Sequence, residues 1–183
     1  MTDPELVRRM TSGDEEAFVT LYRRRQGAVY RFAMQMSGST ALAEEVTQDV
    51  FLLLIRDGAR YDPSRGTVAA YLYGIARNQM LRRLEQDRAY VAMDEDVSET
   101  LPSLDDPLAD LTREERLQAL RQAVLSLPPS YREVVVLCDL HEVDYAEAAL
   151  VLECPVGTVR SRLHRARALL AEKLRNNPAR CTA

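Results

Sequence analysis

Residues 89–112 carry seven carboxylates and no basic side chain, and Pro102 and Pro107 interrupt them. A run of like charge with proline breakers repels itself and cannot hold a packed helix or strand. The chain is therefore expected to fold as two halves, residues 1–88 and 113–183, joined by an acidic linker over 89–112. A length of 183 residues suits two small domains. At 46% hydrophobic residues, each half has material for a core. Trp is absent and Phe occurs three times, so those cores must be built from Leu, Val, Ala, Ile, Met and Tyr. Only seven glycines occur, and no strand-turn-strand rhythm is visible, which predicts an all-α chain.

The net charge of −4 argues by itself against a simple nucleic-acid binder, but its distribution points the other way. The linker segment holds −7, while residues 1–88 sum to +1 and residues 113–183 to +2. Of the 24 basic residues only Lys173 is a lysine. Arginine offers the planar paired donors that suit phosphates and guanine edges. A GC-rich genome accounts for the same bias.

Several function classes are excluded. The longest apolar run, residues 50–55, is far short of the ~18 residues that span a bilayer. The first residues lack a basic region followed by an apolar one, so no signal peptide is expected and the default compartment is the cytoplasm. Cys138, Cys154 and Cys181 form no CxxC pair; His141 follows Cys138 by three, but no second such pair exists, so no metal site is expected. There is no P-loop, no GxGxxG and no carboxylate pair in a glycine-rich setting. Neither an enzyme nor a cofactor is expected.

The first half reads as four helices. Asp3-Pro4 caps the first, which ends near Ser12-Gly13. Asp14 caps the second, whose Phe18, Leu21, Tyr22, Val29, Phe32 and Met36 keep one face. Ser37-Gly38-Ser39 ends it, and Thr40 opens a third with Leu42, Val46, Val50, Leu53 and Leu54 on a stripe. A turn-rich loop over 61–66 leads to the fourth, residues 67–88, with Tyr71, Leu72, Ile75, Ala76, Met80 and Leu84 as its apolar positions.

In the second half, Thr112 with Glu115, and Ser130 with Glu133, match the capping-box spacing. They predict helices over 113–126 and 131–140, separated by Leu127-Pro128-Pro129. Asp144 opens a third over 145–152, and Glu153-Cys154-Pro155 turns into a last helix from about 156 to 174. Two helices joined by a three-residue turn, the second strongly basic, form a helix-turn-helix pattern. Val156, Val159, Leu163, Ala166 and Leu170 recur at intervals of three and four and face inward. The opposite side shows Thr158, Arg160, Ser161, Arg162, His164, Arg165 and Arg167 with no acid among them. An ordinary solvated face mixes Glu with Arg; this one suits the major groove, where Arg reads guanine and Thr or Ser meets phosphate or base edges.

Here a family resemblance becomes specific. The segment from Pro155 through Val156-Gly157-Thr158-Val159-Arg160-Ser161-Arg162 to Arg167 resembles the recognition helix of region four of sigma factors. Leu127-Pro128-Pro129-Ser130-Tyr131 resembles that region's opening. Ala43-Glu44-Glu45-Val46-Thr47-Gln48-Asp49-Val50-Phe51 is similar to the polymerase-docking helix of region two, and Tyr71-Leu72-Tyr73-Gly74-Ile75-Ala76-Arg77-Asn78 to its promoter-melting helix. Two blocks in this order, with no folded domain between them, resemble the extracytoplasmic-function (ECF) group of the sigma-70 family. The resemblance implies that Glu45, Gln48 and Asp49 dock on the coiled coil of the polymerase β′ subunit. It implies that Tyr61, Arg65, Tyr73, Arg77, Asn78 and Arg82 hold the non-template strand of the −10 element, and that the basic helix reads the −35 element. Core RNA polymerase (β′ and β subunits), promoter DNA and an anti-sigma factor are the implied partners, with no membrane insertion. The linker would lie along the polymerase's RNA path.

Two departures stand out: His164 replaces the more usual residue types of the recognition helix, and Ala148-Ala149 replaces Ile-Ala before the turn. From the residues alone, Tyr71 favours core packing and Tyr73 suits core or strand equally. A helix-turn-helix regulator acting alone, usually a dimer, is the main alternative; no dimerisation heptads support it. A purely structural helical adaptor is the other, and the unopposed arginine face argues against it.

Overall fold

The computed structural model describes residues 1–91 and 113–176, with side chains to residue 83 in the first span and 175 in the second. Helices are the only regular structure among the described residues. The N-terminal half contains α1 (Asp3–Thr11), α2 (Glu15–Ser37), α3 (Thr40–Asp57), a short 3-10 turn (Gly58–Arg60) and α4 (Val68–Val91). The C-terminal half contains α5 (Arg113–Leu125), α6 (Pro129–Val135) running into a π turn (Val136–Leu140), α7 (Tyr145–Leu152) and α8 (Val156–Asn176). α4 thus runs three residues into the segment expected to be linker; the remainder of that segment, with Thr112 and its expected capping box, lies outside the described residues.

Three helix starts follow from caps visible in the sequence. Asp14 accepts from the Ala17 N–H at 3.1 Å, Ser39 from Leu42 at 3.3 Å, and Asp144 from Glu147 at 2.8 Å. At the end of α2, Gly38 takes the left-handed conformation (φ 70°) and its N–H donates to the Met34 carbonyl.

Two expected caps are corrected. Thr2 flanks α1 instead of Asp3, and its N–H donates to Glu5 at 2.7 Å. Asp3 lies inside the first turn with its carboxylate buried, receiving Arg24 at 2.5 Å and also Arg25, which fastens α1 to α2. The Ser130/Glu133 box does not form. Pro128 flanks α6, which starts at Pro129, and the Glu133 carboxylate is taken by Arg77 of α4. A partner across the fold outcompeted the local one.

α6 is also shorter than the expected helix. From Val136 the backbone widens into a π turn, with the His141 N–H donating to the Val136 carbonyl at 3.0 Å, and Glu142 then turns the chain at φ 54°.

The apolar stripes do pack inward. Leu6, Leu21, Phe32, Val46, Val50, Leu54, Leu72 and Ala76 are fully buried in the N-terminal half. Val134, Leu137, Ala148, Val159 and Ala166 are fully buried in the C-terminal half, and Leu163 nearly so. Burying a Leu, Val or Phe side chain contributes about 1.5–3 kcal/mol. The two cores merge into one cluster, because α4 packs on α7, and α2 packs on α5 and the π turn.

Candidate nucleic-acid interface

α8 presents the first of three candidate faces. Val159, Leu163 and Ala166 are buried, which turns Arg160, Ser161, His164, Arg165 and Arg167 outward; Thr158 and Arg162 sit half-buried at the edges. The side chains are not equally available. Arg167 makes a two-pronged pair with Asp139 (3.1 and 2.6 Å), which raises its pKa further and ties α8 to the π turn. The Arg160 guanidinium lies 5.8 Å from the Tyr145 ring centroid of α7, a cation–π contact that extends it along the surface. Ser161 donates its hydroxyl to the Thr158 carbonyl, so that proton is used within the helix. Arg165 and His164 are exposed.

The second face lies around the start of α4. Tyr61, Arg65, Tyr71 and Asn78 line a cavity of about 260 Å³, with Leu150 and Val151 of α7 closing one side. Tyr71, Gly74, Ile75 and Asn78 share one helical face by their spacing. A Cβ at Gly74 would meet nothing within 4 Å, so this glycine keeps the wall flat. The Tyr61 and Tyr71 rings lie 5.4 Å apart, and the Tyr61 hydroxyl donates to the Gly66 carbonyl at 3.0 Å, folding the loop back on itself. Burial, reinforced by Asp3 and Glu147, raises the Tyr61 pKa, so the phenol stays neutral. Paired aromatic rings, an amide and an arginine are the chemistry that holds an unstacked base and its backbone.

The sequence grouped Tyr73 and Arg77 with this surface, and the fold sends them elsewhere. Tyr73 is 5% exposed; its ring lies 5.1 Å from Phe32, and its hydroxyl is 2.9 Å from His141 Nδ1. Arg77 points at Glu133 (2.8 Å). Arg82 is exposed one turn beyond Asn78. Tyr71, read from sequence as core, lines the cavity instead.

The third face is on α3. Glu45 and Gln48 are exposed and Asp49 half-exposed, and Arg83 of α4 pairs with both carboxylates, at 2.5 Å to Asp49. Leu52 and Ile55 continue this face at 62% and 53% exposed. They were missed, although six consecutive apolar residues on a helix cannot all face inward, and these two fall outside the 42-46-50-53-54 stripe. Among the described residues no group of three or more His, Cys, Asp or Glu side chains is placed to hold a metal. Burial pushes the Cys138 thiol up to about 11. No helix among the described residues is long and apolar enough to cross a membrane.

Residues 21–90 match the family described as Sigma-70 region 2, and residues 117–170 match Sigma-70, region 4. The chain belongs to the ECF sigma factors. The sigma factor SigE of Mycolicibacterium smegmatis is 37% identical over 89% of this chain and 65% of its own length. SigM of Mycobacterium tuberculosis is 34% identical over 94% of this chain and 85% of its own. Among solved structures, CnrH in complex with the cytosolic domain of CnrY superposes with a TM-score of 0.72 at 26% identity, over 96% of this chain and 98% of that one. Sigma factor RpoE in complex with the anti-sigma factor NepR, from Bartonella quintana, gives 0.73 at 24% identity over 87% and 98%, a likeness of fold. The two halves of this sigma factor are thus regions two and four, which bind core RNA polymerase and promoter DNA. The stand-alone regulator is set aside.

Proposed function

We propose that this sigma factor reads a two-part promoter with separate halves and opens it without forming or breaking a covalent bond. α8 enters the major groove of the −35 element, with Arg160 and Arg165 as the base-reading side chains. The loop over 61–66 and α4 take the non-template strand of the −10 element: a flipped base enters between Tyr61, Tyr71 and Asn78, and Arg65 and Arg82 follow the backbone. Glu45, Gln48 and Asp49 meet basic residues of the β′ coiled coil, and Leu52 and Ile55 add apolar contact. Region four meets the β subunit. The site of action is the cytoplasm. An anti-sigma factor that clamps both halves controls the factor; the likeness to CnrH, solved in complex with the cytosolic domain of CnrY, fits control by a bound protein.

The observation that carries the reading is the chemical split between the halves: an exposed arginine face on α8 with no acid from Thr158 to Arg167, and an aromatic–amide cavity at the start of α4. The test is initiation by core polymerase on one responsive promoter, followed by footprinting and permanganate reactivity. Arg160→Ala and Arg165→Ala are expected to weaken upstream occupancy. Asn78→Ala is expected to leave it and reduce strand opening. Equal loss of both steps with Asn78→Ala would sink the division of labour.

A further inference from the structure

The two arginines on one edge of α8 share a single neighbour. Arg160 and Arg167 are seven residues apart, so they leave the helix within about 20° of the same direction. Tyr145, the first residue of α7, stands between them. Its ring lies under the Arg160 guanidinium, 5.8 Å from centroid to Cζ. Asp139 holds the Arg167 guanidinium, and the Tyr145 hydroxyl meets it as a second, weaker partner.

Tyr145 owes its place to the helix that carries it and not to its own burial. Asp144 caps α7 by accepting the Glu147 N–H at 2.8 Å, and Ala148, Ala149, Val151 and Leu152 sink the helix into the core. The tyrosine itself stays 37% exposed. A ring face attracts a cation without supplying a hydrogen-bond acceptor, so the paired donors of Arg160 remain available for a guanine edge. Asp139 does the opposite to Arg167 and engages two of its donors. Arg165 leaves α8 about 140° away from Arg160. It is exposed and pairs with no acid or ring among the described residues.

We propose that Tyr145 is a positioning residue for promoter reading, whose ring holds Arg160 extended before DNA arrives, so that one position of the −35 element is specified from α7 as well as from α8. The proposal rests on the reading of Arg160 and Arg165 as base-reading side chains. A long arginine held in its reading posture loses less freedom on binding than one that DNA must order. The recognition helix thus carries two kinds of reader: Arg160, set in advance by Tyr145, and Arg165, ordered only by the bases it meets.

The experiment uses holoenzyme assembled from core polymerase and the full chain. It competes variants of one responsive promoter in which each −35 position carries each of the four bases, and reads the bound DNA by sequencing. Arg160→Ala and Arg165→Ala first mark the position that each side chain reads. Tyr145→Leu keeps bulk and removes the ring. It is expected to lower discrimination about two- to fivefold at the Arg160 position and to leave the Arg165 position as it was. Tyr145→Phe keeps the ring and is expected to retain discrimination at both. In a chain that already carries Arg160→Ala, Tyr145→Leu is expected to cost nothing more at that position. Tyr145→Gln replaces Tyr145→Leu if circular dichroism shows that the latter unfolds the chain. Three results overturn the proposal: a uniform loss of affinity with every base preference kept, which makes Tyr145 a backbone contact; an equal loss at the Arg160 and Arg165 positions; or a full effect of Tyr145→Leu in the Arg160→Ala chain. Failure of the underlying reading looks different, because Arg160→Ala and Arg165→Ala would then leave every −35 preference unchanged, and the proposal would fall with it.

Discussion

His141 gives the packing of the two halves a measurable acid sensitivity. The ring is half-buried between the halves, with Tyr73 donating to Nδ1 and Nε2–H donating to the Gln35 side-chain oxygen, an arrangement that requires the neutral imidazole. Burial, and then the nearby Arg31, push its pKa down to about 4 from the usual 6.5. Above pH 6.5 the imidazole is neutral folded or unfolded and contributes no pH dependence. Between 6.5 and 4 only the unfolded chain takes the proton, so stability falls as the solution is acidified. The full shift would correspond to about 3 kcal/mol. Partial exposure screens the ring, and about 1–2 kcal/mol is the expected loss at pH 4. For a chain of this size that lowers the melting temperature by roughly 2–8 °C. Carboxylates titrate in the same range, so the quantity to measure is the difference between wild type and His141→Gln in thermal unfolding from pH 7.5 to pH 4. The two curves should converge as the pH falls. Parallel curves would show that the ring carries its proton in the folded chain and that the Tyr73–His141–Gln35 bridge does not form.

Leu163→Ala removes a buried side chain where α8 meets α6, and chemical denaturation should show a loss of about 2–5 kcal/mol. Gly38→Ala forces a Cβ into the left-handed region and to within 2.9 Å of a Leu125 methyl; about 1–2 kcal/mol should be lost in the same assay. Asp49→Arg combined with Glu45→Arg should end co-purification with core polymerase while the helical circular dichroism spectrum persists. In promoter competition Arg160→Ala should cost about 1–3 kcal/mol of discrimination at one −35 position. Arg167→Ala should change preference less, because Asp139 already engages that guanidinium.

What the sequence could express was local. Asp14, Ser39 and Asp144 cap helices because the cap and its partner lie three residues apart, and the spacing in 159-163-166 is the same fact seen from the core. Asp3 and Glu133 misled for the complementary reason. Each sits where a local cap would suit it, and each found an arginine far along the chain, a partner no local pattern encodes. Tyr71 was read as core, and Tyr73 was left open by the residues and set in the strand site by the resemblance, because a tyrosine suits either a core or a stacking surface. Only the rotation of α4 against α2 and α7 decides between them. Leu52 and Ile55 were legible in principle, since their exposure follows from counting around the helix.

α4 has unusually little spare surface. Tyr71, Gly74 and Asn78 form the cavity wall, Leu72, Ala76 and Met80 fill the core, Tyr73 and Arg77 are held by the C-terminal half, and Arg83 bridges to α3. An ordinary surface helix keeps one side in water, and a mutational scan along it shows tolerance rising and falling every three to four residues. α2 should show that rhythm, with Arg23 accepting almost anything while Arg24 and Arg25, which hold Asp3, accept little. Along residues 71–83 of α4 the rhythm should vanish, and the residues accepted at neighbouring positions should answer to different partners. Selection on the cavity, on the contact between the halves and on the bridge to α3 would then meet on one helix, so a change that improves one of them there is liable to be felt by the others.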